Sequence, residues 1–285
     1  MFDKSETEVL DKLKAWASLS NNIRALILTS SRVGPNTKPD KLSDYDIEVI
    51  VDDLEPFSND EWLSYFGTTL VKWPLYPRNT GYTKNSISRL VVFTSFPRVD
   101  FQINNKIFFD ASVYDSGYKF IVDKDNLQST IPKPTNTEYI IKRPSAEDFY
   151  EAVDGFYWDL PYIAKSLKRG ELAFARFMLL SAIRYDSFDR MLSWYVGSKN
   201  NWAANYGVHG RNLEKLTNKP FANEVNSLEA GNNSEDIWQN ALNMEKLFRR
   251  MHEELANSLQ YKKEVVNTEQ VILYCQKILE LSLEK

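Results

Sequence analysis

The chain has 285 residues, 43% of them hydrophobic, and a formal net charge of −4. That is enough apolar material for one large domain or two smaller ones, and too much for a disordered chain. A mildly acidic sequence without a basic block argues against a nucleic-acid partner and suits a small cationic molecule. No apolar run nears the roughly eighteen residues needed to span a bilayer. The charged opening Met1–Glu6 is unlike a signal peptide. A soluble cytoplasmic protein with no membrane partner is predicted. One cysteine, Cys275, excludes an internal disulfide, and with only His209 and His252 it cannot make a usual zinc site.

In chain order, Ser5 and Glu8 form a capping box that predicts a first helix with Val9, Leu10, Leu13 and Trp16 on one face. Ile23 to Thr29 is an apolar, partly β-branched run that reads as a buried strand ending at Ser30-Ser31-Arg32. Val33 to Lys41 reads as loop. A second strand follows through Tyr45, Ile47, Val49, Ile50 and Val51. Ser58 and Glu61 resemble another capping box, predicting a helix through Trp62, Leu63, Phe66 and Leu70. Leu90 to Phe93 and Val99 to Ile103 read as two later strands. The segment 104–125 is expected to hold a short helix and loop. Pro132, Pro134 and Pro144 mark a linker.

Beyond Ser145 the periodicity is helical. Phe149, Val153, Phe156, Tyr157 and Leu160 recur on one face, as do Leu172, Phe174, Phe177, Met178, Ala182 and Ile183 towards Met191 and Trp194. Ile237, Ala241, Met244, Phe248 and Met251 mark another helix, and Val271 to Leu281 a last one. The expected architecture is α+β: an N-terminal domain over 1–135 with a small mixed β-sheet flanked by helices, then an α-helical bundle over 136–285. The expected site is a cleft.

The chemistry is concentrated in Asp44-Tyr45-Asp46. In a strand, residues two apart share a face, so Asp44 and Asp46 stand side by side. Two adjacent carboxylates repel unless a cation joins them, and magnesium takes oxygen ligands of this kind together with substrate phosphates. Asp100 alternates with Val99 and Phe101 and becomes a third acid if its strand lies beside the Asp44–Asp46 strand. Its role as metal ligand or as acceptor of a proton stays open. Ser30 and Ser31 lie where a turn after a strand lets backbone N–H groups and a hydroxyl approach a phosphate. Arg32 suits either a phosphate or a carboxylate. In the helical half, Asp154, Tyr157 and Asp159 are candidates to face an acceptor.

This ordered set resembles the DNA polymerase β-like nucleotidyltransferase superfamily. More closely it resembles the aminoglycoside 6-adenylyltransferase (streptomycin adenylyltransferase) family. The resemblance is carried by Ser5–Glu8, Arg24-Ala25, Ser31-Arg32, Ser43–Ile47, Trp62-Leu63, Phe66-Gly67, Asp100, Asp123–Asp125, Lys142–Pro144 and Met191–Trp194. It implies a magnesium-dependent nucleotidyltransferase moving AMP from ATP to a hydroxyl of a small polar acceptor, cationic if aminoglycoside-like. It implies Asp44, Asp46 and Asp100 as catalytic metal ligands, Ser30, Ser31 and Arg32 around the nucleotide, and a monomer or weak dimer. The sequence departs from the family at Ser30, usually Gly, and at Gly155, Phe177 and Val208, where Glu, Asp and Lys are usual. The metal end is kept and the acceptor end altered, so streptomycin is expected to be a poor substrate. The alternative is a weak or inactive homologue that binds a nucleotide or an antibiotic-like ligand.

Overall fold

The structure is a computed structural model and describes residues 4–34, 38–75, 85–229, 231–262 and 266–283; part of the loop expected over Val33 to Lys41 lies outside them. The chain divides into two compact units, Met1–Glu138 and Tyr139–Lys285.

The first unit is α+β. Helix α1 (Glu6–Ser18) begins at the Ser5–Glu8 capping box and buries Val9, Leu10, Leu13 and Trp16. Six strands follow: β1 (Ile23–Thr29), β2 (Tyr45–Val51), β3 (Thr69–Trp73), β4 (Ser86–Phe93), β5 (Val99–Asn105) and β6 (Lys119–Asp123). They form one mixed sheet in the order β3-β4-β5-β2-β1-β6, in which β2 and β5 run parallel and every other pair antiparallel.

The alternation along β2 sorts its side chains. Tyr45, Ile47, Val49 and Val51 enter a core with Trp16, Phe57, Phe66, Phe93 and Phe101, where the Trp16 ring meets those of Phe57, Phe66 and Phe101 edge to face at 5.2–6.3 Å. The opposite face carries Asp46 and Glu48, then Ile50, which joins a smaller cluster with Ala25, Ile27, Tyr114 and Ile131. One face is thus apolar throughout, and the other is apolar only at one end.

Two expectations in this half are corrected. Ser58 and Glu61 do not open an α-helix. Glu61–Tyr65 is a short 3-10 turn with no side-chain cap, and Gly67 at φ +134 turns the chain out of it into β3. Leu70 is therefore a strand residue. The segment after residue 104 holds two 3-10 turns, Lys106–Phe108 and Ala111–Tyr114, and then the sixth strand.

The second unit is helical: α2 (Ala146–Arg169), α3 (Leu172–Phe177), α4 (Asp189–Lys199), α5 (Leu213–Leu216), α6 (Lys219–Asn226), α7 (Ser234–Leu259) and α8 (Thr268–Glu280). A π-helical stretch, Met178–Phe188, joins α3 to α4. Helix α2 starts at a Ser145–Asp148 capping box and stops at Gly170, left-handed at φ +78. Its apolar face packs on α7, with Phe156 and Phe248 stacked at 4.0 Å. Burying each such side chain contributes roughly 1.5–3 kcal/mol. Phe174 and Phe177, expected on the inner face, are 45% and 56% exposed and stack on each other. Cys275 is buried in α8, and burial pushes its thiol up to about 12. No described helix is long and apolar enough to cross a membrane.

His252 gives this unit a pH signature. It is 4% exposed, stacks on Phe248, and its buried Nε2 has no hydrogen-bond partner. Burial, and secondarily Arg249, pull its pKa from 6.5 down to about 4. The unfolded chain gains a proton near pH 6.5 and the folded one only near pH 4. Its contribution is therefore present above pH 6.5 and is lost as pH falls through that window, by roughly 3 kcal/mol. Denaturant melts at pH 7.5 and 4.5 should show this loss, and His252→Leu should remove most of it.

Candidate active site

Strand β1 ends at Thr29 and passes into the 3-10 turn Ser30–Arg32. Ser30 has φ +59, a left-handed backbone that costs a residue with a Cβ roughly 1–2 kcal/mol relative to glycine. Its hydroxyl stands beside the Asp46 carboxylate and favours that group's charged form. Ser30→Ala keeps the strain and loses the hydroxyl, whereas Ser30→Gly loses the hydroxyl but also the strain. The alanine variant should be the less stable of the two by about 1 kcal/mol in thermal melts.

Strands β2 and β5 pair in parallel with Asp46 directly opposite Asp100, and Glu48 opposite Gln102 in the next row. Asp46 and Asp100 therefore share one sheet face, with Asp44 just ahead of the strand. Burial first, then the neighbouring charges of Asp100 and Asp44, push the Asp46 carboxyl up to about 6. The shift reflects loss of water around the carboxyl first and the crowding of like charges second.

The compensating cation is Arg98. Its Nε and Nη2 donate to the two Asp100 oxygens at 2.9 and 2.8 Å, and its Nη1 lies 3.3 Å from Asp44 Oδ2. As the side chains stand, no three described His, Cys, Asp or Glu residues form a metal-holding group; Asp44 and Asp100 are joined through the guanidinium instead. The donor set is all oxygen, half-buried and short of positive charge, and it fits a hard divalent cation such as magnesium.

Arg32 is committed elsewhere. Its Nε donates to the Asp44 carbonyl at 3.0 Å, its Nη2 to the carbonyls of Ser43 and Asp40 at 2.7 and 3.3 Å, and its Nη1 to Glu6 at 3.4 Å. The guanidinium also lies 3.7 Å over the Tyr45 ring. It braces the loop that delivers Asp44. Ser31 is exposed on the same turn. A hollow of about 240 Å³ is lined by Thr29, Ser30, Asp46, Glu48, Leu90, Asp100 and Gln102 among others. Glu48 and Gln102 were not singled out from sequence, although Glu48 continues the two-residue step from Asp44 and Asp46. Glu48 accepts the Tyr114 hydroxyl at 2.6 Å, and burial raises its pKa.

In the helical unit the candidates separate. A hollow of about 810 Å³ is lined by Glu147, Tyr150, Glu151, Asp154, Gly155, Tyr157, Trp158, Val266 and Val271. Asp154 lies on it, exposed. Tyr157 also lines it, but the ring is buried and its hydroxyl is spent on Glu245 at 3.0 Å. Asp159 is not among the lining residues; burial and Asp186 raise its pKa. Glu147, Glu151 and the 72% exposed Trp158 are the lining residues that periodicity alone did not distinguish from an ordinary solvated face.

The sequence model of the streptomycin adenylyltransferase family matches residues 3–278. The chain belongs to that family. It is accordingly a nucleotidyltransferase. The aminoglycoside 6-adenylyltransferase of Staphylococcus aureus is 31% identical over 230 residues, spanning 76% of this chain and 79% of that protein. The one from Bacillus subtilis (strain 168) is 28% identical over 270 residues, spanning 91% and 93%. A crystal structure of an aminoglycoside 6-adenyltransferase from Bacillus subtilis matches with a TM-score of 0.48 and 24% identity, covering 96% of this chain and 98% of that one. The family assignment does not by itself say which acceptor this member uses.

Proposed function

We propose that the protein transfers the adenylyl group of ATP to a hydroxyl of a small cationic acceptor of the aminoglycoside type, with magnesium. The observation that carries this reading is the pairing of Asp46 with Asp100 on one sheet face beside Asp44, with Ser30 on the wall of the same hollow. Asp44, Asp46 and Asp100 would hold the metal, which when bound offsets phosphate charge and orients the triphosphate. Ser30 and Ser31 face the β- and γ-phosphates from their turn, and Arg32 keeps that turn and the Asp44 loop in place. The acceptor oxygen forms a bond to the α-phosphorus, pyrophosphate leaves, and the hydroxyl proton passes to a carboxylate of the trio. The residues 1–135 form the nucleotidyltransferase domain and 136–285 the acceptor-binding domain in this reading. In the second, Glu147, Glu151 and Asp154 supply negative charge and Trp158 an apolar face for a cationic sugar.

The test is incubation with ATP and magnesium and a panel of aminoglycosides and other polyols, followed by mass spectrometry. An acceptor heavier by one adenylyl group, with pyrophosphate released, is expected. Absence of any adduct together with magnesium-independent ATP binding overturns the reading. The left-handed Ser30 backbone favours a second reading, binding without turnover. Magnesium-dependent ATP binding with no adduct from any acceptor would select it.

A further inference from the structure

Arg98 stands at the centre of the acid cluster and neither the family assignment nor the proposed reaction gives it a task. Its backbone is fixed, because its carbonyl accepts the Tyr45 N–H at 3.2 Å, in the middle of Asp44-Tyr45-Asp46. Its side chain is 42% exposed, so it can move while the backbone stays. The spacing Arg98-x-Asp100 repeats the two-residue step of Asp44-x-Asp46, which sets the guanidinium on the same face as the carboxylates. There it takes both oxygens of Asp100, the less exposed acid at 16%, and reaches one oxygen of Asp44.

These are the oxygens a divalent ion needs. Magnesium binds oxygen at about 2.0–2.1 Å in a strict octahedron; each carboxylate oxygen keeps a second lone pair for it, but the guanidinium cation already on these oxygens repels a second cation and competes for their charge. A guanidinium does not deprotonate to relieve that repulsion, so it weakens a metal ion at these oxygens for as long as it stays. A bare metal ion therefore enters against a cation that already holds both Asp100 oxygens and one Asp44 oxygen. A metal ion arriving with a triphosphate meets a different balance, since the phosphates bring oxygens that take the guanidinium in bidentate fashion.

We propose that Arg98 is a positioning residue that occupies Asp44 and Asp100 in the free protein and is handed to the nucleotide phosphates on binding, so that metal enters together with nucleotide rather than before it. This rests on the metal-dependent reading above. By linkage, whatever Arg98 subtracts from metal affinity in the free protein reappears as cooperativity between metal and nucleotide.

The experiment measures binding of manganese, as a magnesium surrogate, by electron paramagnetic resonance. It uses wild type, Arg98→Gln and Arg98→Lys, with and without α,β-methylene-ATP. Wild type should bind manganese weakly alone and far more tightly with the nucleotide analogue. Arg98→Gln should bind manganese alone about tenfold more tightly or better, and its metal–nucleotide coupling should shrink by a similar factor. Arg98→Lys keeps the charge without the fork and should fall between the two. It also guards against a glutamine variant that fails to fold for want of any counter-charge. If manganese affinity is equal in all three while nucleotide-coupled binding persists, the role of Arg98 is overturned and the metal site stands. If no protein binds manganese under either condition, the metal-site reading falls and Arg98's role with it.

Discussion

Asp46→Asn is expected to lower kcat/KM for adenylyl transfer on the order of a thousandfold, because the amide keeps the shape of the side chain and loses the charge that would hold the metal in the proposed reaction. The same substitution should stabilise the fold. Burial, with Asp100 and Asp44 nearby, raises the Asp46 pKa from 3.8 to about 6. Between those values the folded protein holds a proton that the unfolded chain releases, so stability falls as pH rises through the window and stays lowered above it. The cost at pH 8 is about 2 kcal/mol, after discounting for the part of the carboxylate that water reaches. Denaturant melts should show the variant more stable than wild type at pH 8 and no more stable at pH 3.5. An active variant, or one destabilised at pH 8, would remove Asp46 from the centre of the site.

Streptomycin should be turned over two to four orders of magnitude less efficiently than the preferred acceptor. The resemblance implies carboxylates at the positions of Gly155 and Phe177, and this chain carries neither. Charge-assisted hydrogen bonds from a guanidino sugar to such groups are worth roughly 1.5–3 kcal/mol each. Losing two of them gives the stated range if they act independently. Phe177 and Val208 are each 56% exposed, so no packing demand explains them. Gly155 is different. A Cβ there would sit 3.1 Å from the buried Ser187 hydroxyl, so Gly155→Glu requires Ser187 to shift. Phe177→Asp meets no such barrier but lies off the Asp154 hollow, so a gain in streptomycin turnover there would extend the acceptor site beyond that hollow. Expression in a susceptible bacterium is the sharpest check: clear resistance, with adenylylated streptomycin recovered from the cells, would mean that these positions do not govern acceptor choice.

The acids and their strands were legible because a single constraint wrote them. A sheet with one apolar face forces alternation, and Asp46 and Asp100 fall on the off-beat of two clear alternations, with Asp44 just ahead of the first. Helix α7 was legible for the same kind of reason, with Ile237, Ala241, Met244, Phe248 and Met251 all fully buried. Strand β3 was not, since Leu70, Val71 and Trp73 are more than half exposed at the sheet edge and its alternation carries no burial signal. Strand β6 lies at the other edge and ends at the Asp123-Lys124-Asp125 run, where Asp125 is spent on Arg24 and Lys106. Arginine roles were the least legible. Arg32 and Arg98 both flank the acid pair, and only the fold decides that one braces backbone carbonyls and the other grips carboxylates.

The two-faced character of β2 has a consequence for how this half of the molecule fails. A slip of one residue in the pairing of β2 would drive Asp46 and Glu48 in among Trp16, Phe66 and Phe101 and turn Tyr45, Ile47 and Val49 out to water. Neither half of that exchange is tolerable, so misregistered chains do not persist as slightly defective enzymes. Core and acids proofread each other. Damage to the packing around β2 should therefore reduce the number of working molecules while leaving each surviving molecule at full specific activity.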